Sequence, residues 1–323
     1  LTSVDRIDYS NDTATASPKG PLSAYKRMLA ATGNANFGYF GGAAGPTRST
    51  VDRIDYSNDT ATAVLKGPLS VARNRPTATG NASFGYFGGG SPGPLSTVDR
   101  IDYSNDTATA AAKGPLTISK YALTATGNSS FGYFGGGYPG ADSTVNRVDY
   151  SNDTATASAK GPLSEAKYSM GATSSRANAM PLKGPGPLEV ATAFGAFSRL
   201  VSQGTDFGYF AGGYPGPKSS VDRIDYSNDT ATAVARGPLT QVAYAVSATG
   251  NGFFGYFGAR RDASSPFTSY VDRIDYGNDT ATASPRGPMT AGRYKTAATG
   301  NSSFGYFGGG DASPGDNAVS SVD

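Results

Sequence analysis

The sequence predicts an all-β propeller made of one domain spanning residues 1–323. Three observations carry this. Near-identical phrases recur at a fixed period, each period holds four short strand-like stretches, and turn residues separate the stretches. The phrase VDRIDYSNDT places its first Asp at Asp5, Asp52, Asp99, Asp222 and Asp272, and the variant VNRVDYSNDT places Asn146 there. The steps are 47, 47, 47, 76 and 50 residues. FGYF begins at Phe37, Phe84, Phe131, Phe207, Phe254 and Phe304, and GP followed by Leu or Met begins at Gly20, Gly67, Gly114, Gly161, Gly237 and Gly287. Four strands in about 47 residues is the period of a propeller blade.

Within a unit, FGYFGG is aromatic and glycine-rich and reads as the first, innermost strand. STVDRIDYS alternates and is β-branched, so it reads as the second. TATAS is a short Thr/Ala run and reads as the third. The segment after GPL, such as VARNRPTAT, reads as the fourth. Ser-Asn-Asp, Lys-Gly-Pro and Thr-Gly-Asn supply turn chemistry between them. No window carries a 3.6-residue period, so almost no helix is expected.

Composition narrows the chemistry. The chain has 44 Gly and 20 Pro, in keeping with many turns, and no Cys or His. Those absences exclude His/Cys zinc sites, Ser-His-Asp triads and Cys-His dyads. The formal charge is +2, with 27 basic and 25 acidic residues, and no Lys/Arg run would track a phosphate backbone. Nucleic acid is therefore not an expected partner, and no apolar stretch reaches membrane-spanning length.

The unit resembles a kelch repeat. FGYFGGG is similar to that family's strand ending in a double glycine, VDRIDYSNDTAT to its next strand and turn, and Leu69–Arg73 to its Arg-bearing fourth strand. The chain departs from the family in having no Trp after the turn, where Ala14 and its equivalents stand. Some kelch-like proteins are copper oxidases, but such sites need His ligands and a modified Cys, which are absent. The slight drift between copies also resembles repeat proteins of marine bacteriophages and environmental viruses.

The chain begins inside one VDRID strand, and its last FGYF lacks the strands that should follow. Pairing of Phe304–Gly309 with Val4–Tyr9 is expected to close the ring and remove two open sheet edges. The long step adds 29 residues by comparison with the 47-residue steps. Leu188–Phe194 and Arg199–Val201 read as strands there, and Ala179–Leu182 as a shortened inner strand. This favours a degenerate seventh blade; six blades with a packed insertion is the alternative.

The candidate sites are mostly repeated. Arg6, Arg53, Arg100, Arg147, Arg223 and Arg273 share a strand face with Asp8, Asp55, Asp102, Asp149, Asp225 and Asp275. Both sets are expected to form a ring of inter-blade hydrogen bonds, because catalysis seldom needs six equal copies. Asp8-Tyr9-Ser10-Asn11-Asp12 spaces oxygens somewhat like a calcium loop but lacks its Gly and distal Glu, so an Asx turn is the favoured reading. Asn11, Asn58, Asn105, Asn152, Asn228 and Asn278 open N-x-T sequons, as Asn81, Asn128 and Asn301 open N-x-S ones; they are candidate glycosylation sites if a eukaryotic host secretes the chain. Tyr39, Tyr86, Tyr133, Tyr209, Tyr256 and Tyr306 either line the channel, where they would stack on sugar, or pack between blades; packing is favoured. Glu occurs at Glu165 and Glu189 alone, and no carboxylate pair stands out for glycoside hydrolysis.

No catalytic, metal or cofactor site is expected. The reading is a non-enzymatic structural or adhesive propeller on a virion or fibre, extracellular in location, whose partners are other virion or surface proteins. The alternative is a secreted or cell-surface lectin-like propeller that binds glycans.

Overall fold

The computed structural model describes residues 1–174, 207–262 and 267–312. Six antiparallel four-stranded sheets form the blades of a propeller. In one blade the strands are Ala30–Gly33, Phe37–Ala43, Arg48–Asp55 and Val64–Lys66, in that order from the axis outward. The inner strands are Ala30–Gly33, Thr77–Gly80, Thr124–Gly127, Gly171–Ser174, Ser247–Gly250 and Ala297–Gly300, and each touches the next around a closed ring. Among the described residues helix is confined to single 3-10 turns such as Tyr56–Asn58, and none is long and apolar enough to cross a membrane.

The strand order differs from the sequence expectation by one step. FGYF forms the second strand, and the innermost strand is the Thr/Ala segment ahead of it. Six strands converge at the axis, where only short side chains fit, and the bulky FGYF aromatics fill the space where blades diverge. The TATAS run is mostly turn, and the outer strand is the tripeptide that starts at its last residue, Ser17–Lys19 in the first unit. Leu69–Arg73 is likewise not a strand. It crosses the top of the blade interface, with the Leu69 N–H donating to the Ser49 carbonyl and the Arg73 N–H to that of Arg48.

The termini close the ring as expected. Val4–Asp8 pairs antiparallel with Phe304–Gly308, Val4 opposite Gly308 and Asp8 opposite Phe304. The blade count is six. The additional residues of the long step fall inside the hairpin between Gly171–Ser174 and Phe207–Ala211, which pair directly, so no blade is inserted into the ring. The strands read at Ala179–Leu182, Leu188–Phe194 and Arg199–Val201 lie outside the described residues.

Each interface between blades repeats one design. Its apolar part is exemplified by Tyr39, Val51, Leu69, Phe87, Ile101 and Ala110, all buried, with residues from two blades and the connection joining them. Burying each large side chain contributes about 1.5–3 kcal/mol. Tyr39 also stacks on Tyr103 of the next blade at 4.7 Å. Its polar part centres on one carboxylate. Asp106 accepts from the Tyr39 hydroxyl at 2.9 Å, pairs with Arg53 at 2.7 Å and with Lys66 at 3.1 Å, all from the preceding blade. Arg53 lies over the Phe37 ring, 4.3 Å from its centroid. Asp12, Asp59, Asp153, Asp229 and Asp279 hold the equivalent Tyr, Arg and Lys or Arg groups.

The backbone adds a staple. The Gly67 N–H donates to the Asp106 carbonyl, and the Ala110 N–H donates to that of Pro68, both at 2.8 Å. A Cβ on Gly67 would stand 1.8 Å from the Ala108 carbonyl oxygen, so only glycine fits there.

The arginines expected to bridge blades therefore do so, but not through their strand neighbours. Arg6, Arg53, Arg100, Arg147, Arg223 and Arg273 reach the Asp of the next SNDT turn and are partly buried, with 20–26% of the side chain exposed. Asp8, Asp55, Asp102, Asp149, Asp225 and Asp275 stay local. Each accepts from the backbone N–H two residues on, Ser10 for Asp8 and Gly277 for Asp275. Strand alternation puts both residues on one face, but the carboxylate at the strand end curls into its own turn.

A second set of charges is fully buried. Asp52 pairs with Lys26 at 3.1 Å, Asp99 with Arg73 at 2.9 Å and Asp222 with Lys167 at 2.9 Å; Asp5 pairs with Arg293 and Asp272 with Arg260. The sixth position is Asn146, and there Lys120 turns to Asp142 at 2.7 Å. Ala243 occupies the position of the cation that Asp272 lacks, and Arg260 supplies the charge from the second strand's end.

Two outcomes are expected. A chain ending at Asn301 lacks the partner of Val4–Asp8, so its denaturant-unfolding transition should lose cooperativity and shift across the whole ring. Asp106→Ala should cost about 2–3 kcal/mol, because a buried Tyr hydroxyl and two cations lose their acceptor, against about 1 kcal/mol for the turn-capping Asp55→Ala. Burial acts to raise the Asp106 pKa, but the hydrogen bonds from Tyr39, Lys66 and Arg53 outweigh it and the net shift is downward, as at Asp229. Their stabilisation is thus complete above the unfolded carboxylate value of about 3.9 and is lost as pH falls through the lower folded value. Melting curves between neutral pH and pH about 2.5 should show that loss, and a flat profile below the ordinary carboxylate range would refute it.

Candidate functional site

Strand direction sorts the loops onto two faces. Inner strands start at one face and end at the other, so the connections between blades and the loops between second and third strands share the starting face. The Thr-Gly-Asn hairpins and SNDT turns share the opposite face. The SNDT turns and five of the six hairpins here are nearly the same from blade to blade, the hairpin after Gly171–Ser174 carrying the additional residues of the long step, whereas the starting face varies at the equivalent pair of every blade. Asn11, Asn58, Asn105, Asn152, Asn228 and Asn278 are all exposed in the SNDT turns of this face. Asn81, Asn128 and Asn301 sit in its hairpins, where each side-chain carbonyl accepts the N–H two and three residues on. In the turn that spaces its oxygens somewhat like a calcium loop, Asp8 accepts from Ser10 and Asp12 from Tyr256, Arg273 and Arg286, so protein donors already engage both carboxylates.

The variable face opens into a cavity of about 690 Å³ around the axis. Its rim is built from one residue pair per blade, joined by short antiparallel bridges: Arg27 with Ala44, Asn74 with Ser91, Tyr121 with Tyr138, Tyr168 with Tyr214, Tyr244 with Arg261, and Tyr294 with Asp311. The pairs occupy equivalent positions in the repeat, and the backbone is the same in each. The residue after the first member has positive φ in every blade, at Met28, Arg75, Ala122, Ser169, Ala245 and Lys295. What changes is the side chain.

The tyrosines form an arc over half the rim. Ring centroids are 5.1 Å apart for Tyr121 and Tyr138, 5.4 Å for Tyr138 and Tyr168, 5.4 Å for Tyr168 and Tyr214, and 5.6 Å for Tyr214 and Tyr244. The rings are tilted or edge-on to one another, which leaves faces open to solvent; Tyr138 and Tyr214 are 37% and 38% exposed. Arg261 continues the arc, its guanidinium lying 5.7 Å from the Tyr244 ring and 5.5 Å from that of Tyr294. Asp311 holds Arg27 at 3.2 Å and Lys295 at 3.1 Å and accepts from the Tyr25 hydroxyl at 2.7 Å. Burial acts to raise its pKa, and those three partners bring it below the usual value.

Deeper in, the channel narrows to a lining of Ala and Thr, including Ala31, Ala78, Ala125, Thr79, Thr126 and Thr249. The FGYF tyrosines are not there. Tyr39, Tyr86, Tyr133, Tyr209, Tyr256 and Tyr306 have no exposed surface and stack between blades on Tyr103, Tyr150, Tyr226, Tyr276, Tyr9 and Tyr56. The rim tyrosines went unnoticed in the sequence. The signal for them was present as substitution within an otherwise copied phrase, at the residue after each LSxxK-type cation or its counterpart Ala243, and at the fourth residue after each FGYF.

No protein-family model matches the chain, and no curated protein does. Among solved structures, one described as "Structure of YjhT" superposes with a TM-score of 0.61, at 10% sequence identity, over 86% of this chain and 88% of that one. At that identity the likeness is one of fold: the chain is similar to a solved protein over most of both lengths, and it is a six-bladed β-propeller.

Proposed function

We propose that the chain is a non-enzymatic adhesive propeller of kelch type that binds glycans at the channel mouth. It acts on a virion or another extracellular surface, among other surface proteins. The observation that carries the reading is the tyrosine arc. Six copies of one unit keep their packing residues and their SNDT turns, yet diverge at the rim pairs that surround a cavity of about 690 Å³. Loops on a rigid scaffold are where binding residues are placed, and side chains released from packing duty are free to specialise. Exposed, tilted Tyr faces offer flat apolar surface to the C–H face of a sugar ring, and their hydroxyls offer hydrogen bonds to its rim. The viral setting is supported by the near identity of the copies, which resembles repeat proteins of bacteriophages.

A glycan array read with the purified chain tests this. Binding to a defined set of glycans is expected, with Tyr168→Ala and Tyr214→Ala each reducing affinity about tenfold, a loss of about 1.4 kcal/mol. Asn11→Ala on the opposite face should leave binding unchanged. Absence of glycan binding, or equal binding by the rim variants, would refute the reading.

A further inference from the structure

Nearly every described cation of this protein has a carboxylate. Among the described residues, Arg48, Arg75 and Arg261 are the basic side chains that form no ion pair. Two of these three, Arg75 and Arg261, line the channel mouth. They also stand at the two ends of the tyrosine arc. Arg75 lies over the Tyr121 ring at 5.4 Å, and Arg261 lies over that of Tyr244 at 5.7 Å. Acidic groups near the rim are already engaged: Asp311 by Arg27 and Lys295, Asp142 by Lys120, and Glu165 by Lys218. The mouth therefore presents two guanidiniums outside any ion pair, Arg261 with Asp262 next to it in the chain, separated by a run of aromatic faces.

We propose that the ligand of this rim is an acidic oligosaccharide chain with repeated carboxylates, an oligouronate. The proposal rests on the glycan-binding reading and specifies its ligand class. The arc is longer than one sugar ring, because it comprises four successive ring-to-ring steps of 5.1–5.6 Å. A single monosaccharide cannot span both arginines. A polymer can lay successive sugar rings on the tyrosines while carboxylates at separate residues reach Arg75 and Arg261. A guanidinium presents a planar fork of donors that matches the two oxygens of a carboxylate. Each guanidinium is oriented by the ring beneath it, which limits the side-chain entropy lost on binding. Away from the arc, Ala44, Asn74 and Ser91 are short and uncharged and Arg27 is held by Asp311, which leaves room for the chain to exit the mouth.

The test compares galacturonate, mannuronate and glucuronate oligosaccharides with their methyl esters, which keep the backbone and remove the charge. Titration calorimetry of the full chain should give affinity at least tenfold higher for the acid than for the ester in one or more backbones. That preference should shrink with added salt, as an exposed charge interaction does. Arg261→Gln and Arg75→Gln should each reduce it several-fold, and the double variant should abolish it, so that acid and ester bind equally. Equal affinity for acid and ester, or a preference that survives the double variant, would overturn the proposal. So would tighter binding of a sulfated oligosaccharide than of any uronate. If neutral glycans bind and uronates do not, the ligand class fails and the glycan-binding reading stands. If no glycan binds, both fail.

Discussion

One carboxylate per blade interface, Asp106 and its five equivalents, is the constraint on which the ring depends. It sits where three donors from the neighbouring blade converge, and its own backbone carbonyl accepts from the glycine that enters the next connection. A group that gathers a hydroxyl, a guanidinium and an ammonium fixes the angle between blades as well as holding them together. This explains why SNDT, FGYF and GP recur with so little change. Tyr39, Arg53, Lys66, Gly67 and Asp106 are separate in sequence but belong to one contact, and a change in any of them leaves a buried donor or acceptor unmatched.

The buried ion pairs show what happens when such a contact does change. Asn146 removes a carboxylate, and Asp142 in the neighbouring loop takes its place for Lys120. Ala243 removes a cation, and Arg260 arrives from another strand. The cost of an isolated buried charge is several kcal/mol, which is large beside the stability of a domain, so the charge is replaced from whichever backbone position lies within reach. Burial acts to lower the pKa of Lys26 and Arg73, and Asp52 and Asp99 oppose that effect.

The ring, its closure and the radial repeat were legible in the sequence because they follow from period and from complementary ends. The order of strands was not. Glycine and aromatics in FGYF suggested close approach at the axis, but at the axis volume decides, and Ala and Thr win. The pairing of Arg53 was half legible: its need for a partner followed from its place in a blade, but the partner stands 53 residues on, in the next blade. The binding rim was hidden for a different reason. Attention to what repeats selects the packing residues, whereas Tyr138 and Tyr214 are informative because Ser91 and Ala44 stand in their places.

The composite blade has a consequence for biosynthesis. Val4–Asp8 leaves the ribosome ahead of all six FGYF segments of this sequence, and its own partner, Phe304–Gly308, is the last of the six. In the interval it faces five other FGYF segments of nearly the same sequence. Pairing with any of them would satisfy its hydrogen bonds as well as the native register does. Each of those segments, however, emerges with its own VDRID strand close behind it in the chain, and short-range closure is faster than capture of a distant strand. Nascent-chain order therefore acts as the proofreading step for a ring whose parts are almost interchangeable. At high concentration the same unsatisfied first strand can instead find Phe304–Gly308 of another molecule, which makes exchanged dimers the natural misassembly of this fold.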